Sequence, residues 1–195
     1  MAFDINEFKT RGLQYGGARA TNFQIILTPP AGVGLDLVSA QKLTFTASAA
    51  TIPETELGVI QVPYFGRKIK LAGDRTFNDW RITVMNDEDF GVRSMLEMWS
   101  NAINRLIGNT RQENLNLENY KTSWNIIQFA KTGEVVREYE LQGAFPSLVD
   151  AIDLNWDSTN TVQTFNVTVA YDAWVPVIET SAYQAGGINQ YGGNV

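Results

Sequence analysis

Gly66 to Asp89 reads GRKIKLAGDRTFNDWRITVMNDED. Arg67, Ile69 and Leu71 fall on one side of an extended segment, and Lys68 and Lys70 on the other. Gly73 and Asp74 then read as a turn, with Asp74 and Arg75 at its tip. Gly73 is expected there because glycine adopts backbone angles that cost other residues energy. Trp80, Ile82 and Val84 alternate with Arg81, Thr83 and Met85, the period of a half-buried strand. Asn86 follows as a helix N-cap, with Asp87, Glu88 and Asp89 in a first turn whose acidity suits the positive end of the helix dipole.

Working outward, strands are predicted at Asn22–Thr28, Lys42–Ser48, Gly58–Phe65, Arg67–Ala72 and Asp79–Met85, with Pro29 to Gly34 as a loop. One helix is predicted over about 87–107. Val92, Leu96, Trp99, Ile103 and Leu106 form its apolar stripe, and Gly108 is its C′ residue. A polar connection, Asn109–Lys121, leads to strands at Ser123–Ala130 and Glu134–Leu141, joined by Lys131-Thr132-Gly133. Ala151–Trp156 and Val162–Tyr171 form the last predicted pair. The chain divides into an arm (1–20), a β domain (21–175) and a Gly-rich tail (176–195). The expected fold is mainly β, an antiparallel barrel or sandwich with one α-helix. Ile25-Ile26, Ile126-Ile127 and Val135-Val136 place apolar side chains on both strand faces, so a neighbouring subunit is a candidate to cover the second face.

Composition narrows the function. Hydrophobic residues make up 44% of the 195 and charged residues 18%, which is globular. The absence of cysteine excludes disulfides and thiolate metal sites. The absence of histidine removes the usual proton shuttle and every His-containing triad. A net charge of -6 repels nucleic-acid backbones unless a basic patch overrides it. No apolar run resembles a secretion signal or a membrane helix, so the expectation is a protein made and kept in the cytoplasm, or released by another route.

The candidate chemistry is thin. Asp87, Glu88 and Asp89 could ligate a metal through oxygen, but read better as a helix start. Asp150, Asp153 and Asp157 could supply a glycosidase carboxylate pair, but read better as a strand between polar turns. Arg67, Lys68 and Lys70 are open to three readings: a nucleic-acid patch, edge charges that block wrong pairing, or subunit salt bridges. Trp80 and Trp99 have apolar periodic neighbours and read as core, whereas Trp156 and Trp174 stay open. No phosphate-loop pattern is present.

Two stretches resemble the tail tube proteins of contractile-tailed bacteriophages. The first is Ala72 to Phe77 (AGDRTF), the strand Trp80 to Val84, and Asn86 to Glu88 before the helix. The second is Trp156, Asp157, Ser158 and Asn160, then Gln163 to Thr168 (QTFNVT), with Leu141 to Val149 (LQGAFPSLV) as the connection between. The resemblance spans about Phe23 to Trp174. It implies a non-enzymatic virion subunit without cofactor or metal, made in the host cytoplasm. Such subunits would form hexameric rings that stack into a tube inside a contractile sheath, with baseplate and tube-terminator proteins as partners. Double-stranded DNA would pass without sticking, and no membrane would be involved. The subunit-interface candidates are Tyr64, Phe65, Arg67, Lys68, Lys70, Asp74 and Arg75. The competing readings are a β-sandwich carbohydrate-binding module using exposed aromatics and a hydrolase using paired carboxylates.

Overall fold

A computed structural model describes residues 5–13, 16–113 and 115–179; the Gly-rich end of the expected tail lies outside them. A short helix, α1 (Ile5–Glu7), runs into a π-helical turn, Phe8–Gly12. Then follow β1 (Phe23–Leu27), α2 (Leu37–Thr46), β2 (Ala47–Ala50), β3 (Glu56–Tyr64), β4 (Arg67–Thr76), β5 (Trp80–Met85) and α3 (Gly91–Ile103). A single turn, α4 (Leu117–Tyr120), precedes β6 (Thr122–Phe129), β7 (Val135–Val149), β8 (Thr164–Ala170) and β9 (Ala173–Glu179).

Two antiparallel layers share one long strand. The first half of β7 pairs with β6 and β9, and β6 pairs in turn with β1. The second half of β7 pairs with β8, which continues through β5 to β2. Gly143 sits at the changeover with φ 66°, where a Cβ would fall 2.1 Å from the Asp172 carboxylate. Only glycine gives the strand that bend without displacing a neighbour. The layers do not close into a barrel: among the described residues β1, β2 and β9 each pair on one side only.

The core lies between the layers and under two helices. Ile25, Trp124, Ile126 and Leu141 come from one layer, and Trp80, Ile82, Val84, Phe165, Val167 and Val169 from the other. The Trp124 ring meets Trp80 edge-on at 5.9 Å and stacks on Trp99 of α3 at 6.4 Å, an aromatic cluster that spans the sandwich. Trp99 Nε1 donates to the Tyr120 carbonyl at 2.9 Å, so the buried indole is satisfied. Trp80 and Trp99 are therefore core, as their neighbours predicted.

Several expectations need correction. Lys42–Ser48 is a strand only at its end: α2 occupies Leu37–Thr46, and β2 begins at Ala47. Asp36 caps it, accepting from the Val38 and Ser39 amides at 3.2 and 3.0 Å and from the Ser39 hydroxyl at 2.8 Å. Burial of Ser39, Ala40 and Leu43 on one face, packed towards β1, outweighs the alternation around Phe45. The helix expected from Asp87 is α3, and it begins only at Gly91 because Phe90 before it holds φ 52°, outside helical geometry; Asp89 accepts from the Gly91 amide at 2.9 Å. Lys42 of α2 donates to Asp87, and to Asp89 at 2.6 Å. These hydrogen bonds hold both carboxyls below the usual range and push the Lys42 ammonium up. Helix α3 stops at Ile103, so Leu106 is exposed instead of completing the stripe. Ala151–Trp156 forms no strand, and the connection expected over Leu141–Val149 is the second half of β7. Pro176, expected to open the tail, lies within β9, an edge strand that tolerates its missing N–H.

Candidate functional site

The segment that stands apart from the core is the two-stranded sheet β3–β4. Its strands pair from Glu56↔Thr76 to Tyr64↔Arg67, and among the larger element contacts they pack only on each other. The pairing sorts side chains onto two faces. Ile60 opposes Leu71, Val62 opposes Ile69 and Tyr64 opposes Arg67, which makes one face apolar up to the tip. Gln61 opposes Lys70 and Pro63 opposes Lys68 on the other face, which is basic. All of these residues are exposed. A hairpin with an uncovered apolar face cannot be stable by its own contacts alone, and such a surface marks an interaction site.

The tip lies at Phe65-Gly66, where the two predicted strands meet, and the turn expected at Gly73-Asp74 is absent because β4 runs on to Thr76. Both tip residues have positive φ, 42° and 78°, the pattern of a two-residue primed turn. Glycine fits there freely, whereas phenylalanine is a poor choice that stores local strain. Phe65 is nevertheless 91% exposed, with its ring edge-on to Tyr64 at 4.7 Å. A solvent-facing aromatic pair at the end of a hairpin, one member held in a strained turn, is suited to insertion into a partner.

Asp74 and Arg75 lie in β4 near the hairpin's root. Arg75 opposes Leu57 next to a register shift between Leu57 and Val59. The shift brings Gly58 and Gly73 together: a Cβ on Gly73 would sit 3.1 Å from the Gly58 backbone. Gly73 is thus required by close approach of two backbones, not by a turn angle. Among the described residues, Arg67, Lys68, Lys70, Asp74 and Arg75 enter no ion pair. The structure therefore keeps Tyr64, Phe65, Arg67, Lys68 and Lys70 together at the outer half of the hairpin and separates Asp74 and Arg75 from them. Missed as a set were Ile60, Val62, Ile69 and Leu71. Their signal was the matched alternation of the two strands, legible once the turn is placed at Phe65-Gly66.

The root is fastened to both layers. Trp80 of β5 donates through Nε1 to the Thr51 carbonyl at 2.6 Å, and Trp174 of β9 to the Glu54 carbonyl at 3.1 Å. Trp174, left open by sequence, thus anchors the strap from β2 to β3.

At the far end of β5 the segment between β7 and β8 forms an open cleft of ≈ 800 Å³, lined only by residues from Asp150 to Asn166. Of the carboxylates weighed for hydrolysis, Asp150 and Asp153 line it and Asp157 does not. The Asp150 carboxylate accepts from Asn166 at 3.2 Å, and the Asp150 carbonyl accepts from Arg93 at 2.9 Å, which ties the cleft to α3. No group of three potential metal-ligating residues occurs among the described residues. No described helix is long and apolar enough to cross a membrane.

The family described as phage tail tube protein matches residues 18–177. Tail tube protein gp19 of Enterobacteria phage T4 is 38% identical over 139 residues, 69% of this chain and 82% of that protein. The tail tube protein of Serratia phage KSP90 is 24% identical over 168 residues, 86% and 93% of the two chains. Among solved structures, a chain of the anti-feeding prophage baseplate superposes with a TM-score of 0.55 at 12% identity, covering 83% of this chain and 95% of its own. A chain of an extracellular contractile injection system sheath-tube complex gives 0.51 at 11% identity, covering 90% and 98%. At such identities these two likenesses speak for the fold.

Proposed function

Because the chain belongs to the phage tail tube protein family, a structural component of the virion tail and not an enzyme, we propose that its copies close into hexameric rings. The rings stack into a tube within a contractile sheath, and the tube conducts double-stranded DNA. The observation that carries this reading is the β3–β4 hairpin: one apolar face and an aromatic tip that the chain itself leaves uncovered. A subunit with such an arm completes its fold only against another surface, and another copy is the surface a homopolymer supplies. Sheath, baseplate and terminator proteins are the further partners of such a tube.

A conduit for DNA must not hold it. The chain carries net charge -6, and no lysine or arginine follows Arg137. Arg67, Lys68, Lys70 and Arg75 give the hairpin the densest basic cluster, and a lumen built from the rest of this acidic chain is net negative. Negative-stain microscopy of concentrated protein, with baseplates as nuclei, tests the assembly. Hollow tubes of six-fold rings are expected, and a persistent monomer of 21.7 kDa refutes it. A mobility-shift titration with duplex DNA at low and moderate salt tests the passage. Negligible binding is expected, and tight, salt-sensitive binding refutes it.

A further inference from the structure

We infer that the tip of a neighbouring copy's β3–β4 hairpin seats in the cleft of residues 150–166, in a head-to-tail contact between copies. The inference rests on the tube reading and names the surface that receives the arm.

Placement is the first argument. Register fixes the two ends of β5: Trp80 pairs with Val169, and Met85 with Thr164. The hairpin's last strand ends at Thr76 and joins β5 at the Trp80 end. The cleft segment runs into β8 at Thr164, so the cleft opens at the Met85 end. The arm's root and the cleft therefore lie at opposite ends of one strand, and a copy's own hairpin supplies none of the residues that line its cleft. A protruding feature at one end and a receiving feature at the other is the arrangement of a heterologous interface, which propagates instead of closing as a dimer.

Chemistry is the second argument. Trp156 is 101% exposed, and Leu154 and Val162 beside it are also exposed. These offer the cleft an uncovered apolar wall, to which Tyr64 and Phe65 at the arm's tip are matched in kind. Asp153 and Asp157 stand exposed on the same segment and form no ion pair among the described residues. Arg67 and Lys68, directly after the tip, are equally unpaired. An aromatic pair flanked by cations faces an aromatic wall flanked by carboxylates, and that complementarity fixes both partner and direction. Beta strand spacing gives the nine-residue β3 a reach of roughly 30 Å, ample to cross from one copy to the next.

The chain has no cysteine, so introduced thiols report without interference. In assembled tubes of a Phe65→Cys/Trp156→Cys double variant, mild oxidation is expected to give a ladder of covalent multimers on denaturing gels. Either single variant is expected to stop at dimers or below. Tubes that form normally but give no ladder overturn the inference and leave the tube reading standing. If the double variant fails to assemble, charge reversal decides. Lys68→Glu and Asp157→Lys should each raise the assembly threshold several-fold at low salt, and an equimolar mixture should recover alternating contacts and lower it. No recovery overturns the inference. Retention on a glycan array that Trp156→Ala abolishes would also overturn it, making the cleft a sugar site. Failure of the unsubstituted protein to form tubes with baseplate nuclei sinks the tube reading itself.

Discussion

Phe65→Asn separates folding from assembly. In the native turn Phe65 holds φ 42°, a conformation that costs an ordinary L-residue about 1–2 kcal/mol. Asparagine adopts it far more readily and is a preferred first residue of primed hairpin turns. Relief of part of that strain should leave thermal stability unchanged or raise it by about 0.5–1 kcal/mol, a fraction of the strain just given. The loss appears elsewhere. The ring is 91% exposed in the isolated chain, so nearly all its burial free energy is still available to a partner. Full burial of a phenylalanine side chain contributes about 1.5–3 kcal/mol. Taking about 2 kcal/mol for each contact, removal of the ring weakens subunit addition by roughly 30-fold. The concentration at which tubes first pellet should rise by that order, while the melting temperature holds. A lowered melting temperature would show that the ring packs within its own chain. An unchanged assembly threshold would refute the argument that strain is kept at the tip for the sake of a partner.

Gly143→Ala should destabilise the monomer by about 1–3 kcal/mol, because it adds left-handed strain and drives a methyl into Asp172, which pairs with Lys121 at 2.8 Å; denaturant unfolding measures it. Trp174→Phe keeps most of the apolar ring but deletes the bond to the Glu54 carbonyl; a loss of about 1 kcal/mol in stability is expected, with a larger proportional loss of tube yield seen by microscopy. Asp87 and Asp89 are held below their ordinary pKa by Lys42, so their contribution is present above about pH 4 and disappears as pH falls through the depressed values. Lys42→Met should therefore lower the melting temperature at neutral pH and flatten its decline in acid; parallel acid melts would show that the pair contributes nothing.

Elements whose local pattern and tertiary burial agree were legible before the structure. Trp80–Met85 alternates by two and is buried by two, and Lys131-Thr132-Gly133 does link β6 to β7, with Gly133 at φ 90°. Where two local signals competed, tertiary contact chose. The segment Leu37–Thr46 carries both an alternating apolar pattern and a capped helical one, and contact with β1 selects the helix. The break between Gly58–Phe65 and Arg67–Ala72 was legible, but Ala72-Gly73-Asp74 misled for a chemical reason: it holds turn residues, yet β4 runs through it and Gly73 is needed opposite Gly58. Composition and spacing grouped Arg67, Lys68 and Lys70, and the structure sets all three on the outer half of the hairpin. Asp74 and Arg75 were misplaced because a turn was assumed where a strand continues. Trp156 could not be assigned from sequence, since nothing local distinguishes a core tryptophan from one facing solvent. With the family assigned, the carbohydrate-binding reading of that residue has no support from relatives.

The strap before the hairpin is gripped twice, at Thr51 and at Glu54, by indoles from opposite layers of the sandwich. One grip would be a pivot, about which the arm could swing; two make a bracket that resists torque. In a long stack the angular play at each joint accumulates as a random walk, so straightness is inherited from the stiffness of a single joint. In a stack joined through this arm, the two tryptophan N–H groups would add their stiffness to every joint.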